Sequence, residues 1–230
     1  MHSSLSGPQL FDTWADKYRC WFETPIGVLV KQYELALMLD MLDPQPGEKI
    51  LDAGCGSGLF TECVVQCGAE VIGLDVSEPM LNAARDLLPV TAFMPIVGDM
   101  CALPFENDCF DKTLSITALE FIADAQPAFD ELFRVTRTGG LIVVATLNSL
   151  SPWADRRKSA ASEKQESVFN HACFRSPDEL RGLAPVAGKI RTAIHFEKDM
   201  NVDKARLVEL EGTRRESESG AFVIGCWQKI

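Results

Sequence analysis

Apolar side chains recur at three- and four-residue steps near the start of the chain, at Phe11, Trp14, Tyr18, Trp21 and Phe22, which is the spacing of one helical face. A second helix is expected from Val28 to Leu42. It closes at Asp43-Pro44-Gln45-Pro46-Gly47, where prolines and a glycine stop the helix. The pattern then changes to short apolar runs alternating with helical ones. Lys49 to Asp52 reads as a strand, Leu59 to Gln66 as a helix closed by Gly68, and Val71 to Asp75 as a second strand. Ser77 can cap the next helix, with Pro79 in its first turn. Strands follow at Phe93 to Val97 and Lys112 to Ile116, then a helix over Gln126 to Val135, a turn at Thr138-Gly139-Gly140 and a strand from Leu141 to Thr146. Strands alternating with helices predict a parallel sheet covered on both faces.

The segment from 148 to 170 is rich in Ser, Lys, Arg, Gln and Glu and is expected as a loop or an exposed helix. Ser176-Pro177-Asp178-Glu179 carries a capping-box pattern. Lys189 to Phe196 and Ala221 to Trp227 alternate as strands that complete the sheet, with the charged stretch Asp199 to Ser219 between them. Two parts are expected: a helical lid over residues 1–43, and an α/β domain over 44–230 with a substrate-side insert at about 148–175.

Composition narrows the class. The chain has 230 residues, 47% of them hydrophobic, which suits one globular domain. Its formal charge of -11 repels polyanions, so nucleic acid is not expected as a partner. Leu141 to Leu147 is the longest apolar run and falls far short of the roughly 18 to 20 residues that span a bilayer. Met1 to Pro8 has neither a basic start nor an apolar stretch, so no secretory signal is read and a cytoplasmic location is expected. The eight cysteines contain no Cys-x-x-Cys pair and the chain has three histidines. Metal-ligand spacing is therefore absent, and the cysteines read as small buried hydrophobes.

The chemistry concentrates in Ile50-Leu51-Asp52-Ala53-Gly54-Cys55-Gly56-Ser57-Gly58, a strand running into alternate glycines and then a helix. Such glycines let the backbone turn sharply and pass close beneath a ligand, while helix N-terminal amides face it. A dinucleotide fingerprint needs Gly or Ala where Leu59 stands, and no Gly-Lys-Ser/Thr follows for a P-loop. Asp75, at the end of the second strand, can hold both hydroxyls of a ribose. Asp99, in Gly98-Asp99-Met100, can accept the adenine amino proton, and the next backbone amide can meet a ring nitrogen. The two acids suit one nucleoside lying across the strand ends.

With these motifs the sequence resembles the class I S-adenosylmethionine-dependent methyltransferases, within the group that includes the ubiquinone and menaquinone C-methyltransferases. The likeness rests on Leu51 to Gly58, on Gly73-Leu74-Asp75-Val76-Ser77 with Met80, on Gly98 to Phe105, on Phe110-Asp111, and on Arg134-Val135 before Gly139-Gly140. It implies a Rossmann-like seven-stranded sheet, mostly parallel with an antiparallel last strand, and S-adenosylmethionine as cofactor. The glycine loop is then expected to meet the methionine moiety, Asp75 the ribose, and Asp99 with Met100 the adenine. The expected cofactor-binding residues are Asp52, Ala53, Gly54, Cys55, Gly56 and Gly58 of the loop, Asp75, Val76 and Met80 after the second strand, and Asp99, Met100 and Cys101 after the third. Thr117 and, from the lid, Tyr18 complete them.

Methyl transfer from a sulfonium needs alignment of the acceptor and exclusion of water, with a base only where the nucleophile carries a proton. Candidates for the chemistry are Glu120, which stands where related enzymes often carry the first histidine of Leu-His-His, Tyr18 of the lid, and His171 after the polar insert. The reading is a methyltransferase acting on a small-molecule acceptor. Its rivals are a nicotinamide-dependent oxidoreductase and a non-catalytic scaffold that binds S-adenosylmethionine. Arg156 and Arg157 in the insert are expected either as an anion site or as a solvated charged face.

Overall fold

The computed structural model describes residues 20–162 and 172–230, without the side chains of 158–162. Tyr18, His171 and the start of the expected lid lie outside the described residues. The elements run α1 (Pro25–Leu42), β1 (Lys49–Ala53), α2 (Thr61–Gln66), β2 (Glu70–Asp75), α3 (Glu78–Leu87), β3 (Phe93–Val97), β4 (Phe110–Ile116), a 3₁₀ turn (Leu119–Phe121), α4 (Gln126–Val135), β5 (Thr136–Leu147), α5 (Pro152–Ser162), α6 (Pro177–Gly182), β6 (Gly188–Ala193), α7 (Val202–Arg214) and β7 (Phe222–Gln228).

The seven strands form one sheet in the order β3-β2-β1-β4-β5-β7-β6. Strands β3 to β5 pair in parallel, and β7 runs antiparallel to both of its neighbours, β5 and β6. The expected antiparallel last strand is therefore present, inserted between β5 and β6. Successive residues of a strand point to opposite faces, and both faces are covered. In β5, Val143 and Ala145 belong to one apolar cluster while Ile142 and Val144 belong to the other. The first cluster is closed by α1, α2, α3 and α7, the second by α4 and α6.

Local chemistry explains most boundaries. The Ser77 side chain accepts the Met80 amide at 3.4 Å. Around Ser176, the Glu179 amide donates to Oγ at 3.2 Å and the Ser176 amide to Glu179 Oε2 at 2.7 Å, so the capping box is complete.

Four expectations change. Helix α1 starts at Pro25 rather than Val28, because Thr24 Oγ1 accepts the Gly27 amide at 3.1 Å and proline suits the first helical position. Thr138-Gly139-Gly140 is not a free turn but part of β5, with Gly139 at φ 80° beside a register shift against β4. Asp199 to Ser219 holds a helix, α7, capped by Asn201. The described part of the insert is not wholly exposed, because α5 buries Trp153 and Ala154 and the Trp153 indole donates to the Phe196 carbonyl at 2.6 Å.

Of the expected lid, α1 packs on the sheet, with Met38 and Leu42 fully buried. Trp21 stacks edge-on against Trp153 at 6.3 Å between ring centroids. Among the described residues no helix is long and apolar enough to cross a membrane.

Candidate functional site

The carboxyl ends of the parallel strands gather the glycine loop and both acids, where ligands of open α/β sheets bind. The amides of Gly54 and Cys55 donate to the Leu74 carbonyl at 2.7 and 3.1 Å, folding the loop over the end of β2. Each glycine is there for a different reason. A Cβ on Gly54 would lie 2.4 Å from Ala118 Cβ and 2.9 Å from Met100 Cε, so the loop is pressed against the segments after β4 and β3. A Cβ on Gly58 would lie 2.9 Å from Leu88 Cδ1, so that glycine lets α3 approach. A Cβ on Gly56 would meet nothing within 4 Å. That position, at φ 54°, opens onto the space a cofactor would fill.

Asp75 stands beside it. Its Oδ2 accepts the Gly56 amide at 2.9 Å and its Oδ1 the Ser77 amide at 2.9 Å. A carboxylate offers about four acceptor sites, so one on each oxygen remains for a diol, and the two amides hold the group in orientation. Burial pushes the Asp75 pKa up while these amides oppose the shift.

Asp99 is exposed at the end of β3, with Oδ1 accepting the Cys101 amide at 2.9 Å. Met100 is buried beneath it. Val76 and Cys101 stand close to these acids in sequence and are partly open, whereas Met80 is buried. Thr117 adopts φ 50° at the end of β4 and donates its amide to Ala145 at 2.9 Å.

Three expected cofactor residues turn inward. Asp52 is 2% exposed and accepts the Thr61 hydroxyl at 2.6 Å, pinning the start of α2. Burial, with the nearby charge of Asp75, pushes its pKa up to about 7. Cys55 and Ala53 are buried in the core, and burial pushes the Cys55 thiol well above its ordinary value. Its protonated form is a poor soft-metal ligand. Among the described residues no three His, Cys, Asp or Glu side chains group as an ion site.

Glu120 lies in the first turn of the 3₁₀ element after β4 and is 1% exposed. Thr146 Oγ1 donates to its Oε2 at 3.2 Å. Burial pushes its pKa up to about 7. Arg175, itself buried, secures that turn by donating to the carbonyls of Leu119 at 2.8 Å, Ile122 at 2.7 Å and Cys173 at 3.1 Å. The paired arginines of the insert part company. Arg156 pairs with exposed Asp199, whereas Arg157 lies over the rings of Trp153 at 5.9 Å and Phe174 at 5.4 Å.

Sequence reasoning missed Glu34, Thr146 and Arg175. Glu34, on α1, is 6% exposed. Its signal was legible: Val30, Glu34, Met38 and Met41 are buried at helical spacing, so one acid occupies an apolar stripe.

A methyltransferase domain family matches residues 51–144. A malonyl-[acyl-carrier protein] O-methyltransferase of Serratia marcescens is 33% identical over 196 residues, covering 76% of each chain. A demethylmenaquinone methyltransferase of Beutenbergia cavernae is 35% identical over 116 residues, 50% of this chain and 47% of that protein. Among solved structures, an S-adenosylmethionine-dependent methyltransferase of Thermotoga maritima superposes with a TM-score of 0.71 at 21% identity, over 97% of this chain and 99% of the other. The open face of Gly56 and the amide-held Asp75 carboxylate fit a nucleoside at the strand ends. The chain belongs to the S-adenosylmethionine-dependent methyltransferases.

Proposed function

We propose that this chain methylates a small molecule received beyond the ends of β4 and β5, beside Glu120 and under α1 and α5. The observation that carries the placement is Asp75, whose two carboxylate oxygens are held by the amides of Gly56 and Ser77. A ribose bound there sets the rest of the nucleoside toward Asp99 and Met100, and the methionine end toward the glycine loop and the turn that follows β4. When bound, S-adenosylmethionine supplies a methyl carbon whose bond to the positive sulfur breaks as the acceptor's lone pair attacks. The protein's part is to align that acceptor, exclude water and take a proton where the acceptor carries one. Buried Glu120 supports the last role, as its raised pKa suits a base near neutral pH. Tyr18 and His171 remain part of the proposal as contributors from the lid and the insert.

Calorimetry tests the cofactor placement. S-adenosylhomocysteine is expected to bind and NADH is not. Asp75→Ala should weaken S-adenosylhomocysteine by about 1.5–3 kcal/mol, the worth of hydrogen bonds to a charged acceptor. Gly56→Val should block binding; its Cβ meets no protein atom but φ 54° strains a β-branched residue, so a denaturant melt is run beside it to show that the chain folds. Tight NADH binding with no response to S-adenosylhomocysteine would overturn the reading.

A further inference from the structure

Two buried carboxyls come from elements far apart in sequence. Glu34 comes from α1, Glu120 from the turn after β4, and they are 6% and 1% exposed. Each keeps a fully buried oxygen, Glu34 Oε2 and Glu120 Oε1, with no hydrogen-bond partner. They are close enough for the charge of Glu120 to raise the proton affinity of Glu34. The groups facing them are Thr146 of β5, spent on the other oxygen of Glu120, and Arg157 of α5, whose charge acts on both. Arg175 also acts on Glu120, with its guanidinium committed to the carbonyls named above. Arg157 itself rests on the rings of Trp153 and Phe174.

Buried acceptors without donors call for a ligand that brings donors. An ammonium brings three N–H groups and a positive charge. A carboxylate brings no donor and is repelled. A hydroxyl brings one donor and no charge. We infer that Glu34 and Glu120 form the acceptor's head-group subsite and that it takes the nitrogen of an amine. The inference rests on the methyltransferase reading and deepens it. In this arrangement the Glu120 carboxylate takes a proton from the ammonium, and the freed nitrogen lone pair forms the new bond to the methyl carbon as the carbon–sulfur pair returns to sulfur. The carboxyl proton then passes to water as the product leaves.

The test uses the whole chain saturated with S-adenosylhomocysteine and titrated calorimetrically with benzylamine, benzyl alcohol and benzoate, which share an aromatic body and differ in the head group. Benzylamine should bind most tightly and benzoate least, and with S-adenosylmethionine supplied, mass spectrometry should find N-methylbenzylamine. Glu34→Gln and Glu120→Gln should each weaken benzylamine at least tenfold while leaving S-adenosylhomocysteine affinity unchanged, which also shows that the variants fold. Benzoate binding more tightly than benzylamine, no benzylamine binding, or variants that bind it like the parent would each overturn the subsite. The rank order on the unaltered chain decides the matter even if a variant fails to fold. Loss of S-adenosylhomocysteine binding by the parent is the separate result that removes the methyltransferase reading.

Discussion

At the scale of single residues, the buried acids set a pH dependence whose sign can be worked out. Glu34 has its pKa pushed from 4.5 to about 8, chiefly by burial. Both the unfolded and folded chains hold its proton well below 4.5, whereas between 4.5 and about 8 only the folded chain does. Stability then falls as pH rises through that window, and the loss is complete above the folded pKa. Glu120 and Asp52, each raised to about 7, act in the same direction. Chemical denaturation from about pH 5 to pH 8 should therefore show the parent losing a few kcal/mol, on the order of 2–4. Glu34→Gln, which keeps the shape without the charge, should flatten that slope and be the more stable chain at the upper end. The glycines offer a sharper contrast. Gly54→Ala should cost about 2–4 kcal/mol, because its Cβ would lie 2.4 Å from Ala118 Cβ and the position has φ 78°.

At the scale of elements, caps and turns are where local sequence spoke most clearly. Ser176 with Glu179, Ser77 with Pro79, and the glycine loop between β1 and α2 are all as expected, since each is satisfied by atoms within a few residues. Thr24-Pro25 carried the same kind of signal, a side-chain cap followed by proline, and was overlooked because the apolar period only becomes regular at Val28. The helix over Val202–Arg214 was hidden for another reason. Its buried face is narrow, with Ala205 and Glu209 as its buried members, so charge dominated the pattern. Glu209 is held there by His195, whose Nδ1 lies 3.2 Å away, and it accepts the Ile194 and His195 amides at 3.1 and 2.7 Å. Arg175 is the element-scale support of the acceptor end, tying the turn after β4 to the segment before α6. Arg175→Met should leave the carbonyls of Ile122 and Cys173 without the guanidinium, Leu119 keeping only the Ile122 amide at 3.1 Å, and cost about 2–4 kcal/mol in denaturant melts. Arg156→Ala, which loses one exposed ion pair with Asp199, should fall within about 0.5 kcal/mol of the parent.

At the scale of the whole molecule, the cofactor and the fold are coupled by mass action. At a hundredfold excess over its Kd, S-adenosylhomocysteine should stabilise the chain by about 2.7 kcal/mol. For a domain of this size that is a rise in Tm of about 5–10 °C, readable by scanning calorimetry, with no rise from NADH. The sequence by itself determined the features that neighbouring residues satisfy among themselves: strand and helix periods, caps, the left-handed glycines, and two acids placed at the ends of β2 and β3. Asp75 and Asp99 were legible because the first ends β2 and the second stands two residues past β3, so the order of elements alone puts them at one edge of a parallel sheet. Tertiary structure decided everything that depends on segments distant in sequence. It inserted β7 between β5 and β6, where its alternating faces close both apolar clusters. It turned Trp153 of the polar insert inward against Phe196, because a helix with even one large apolar residue buries that residue when a complementary surface exists. It also brought Glu34 within electrostatic reach of Glu120, a juxtaposition no local pattern contains, because it arises when α1 packs against β5 and β7 and carries its one buried acid with it.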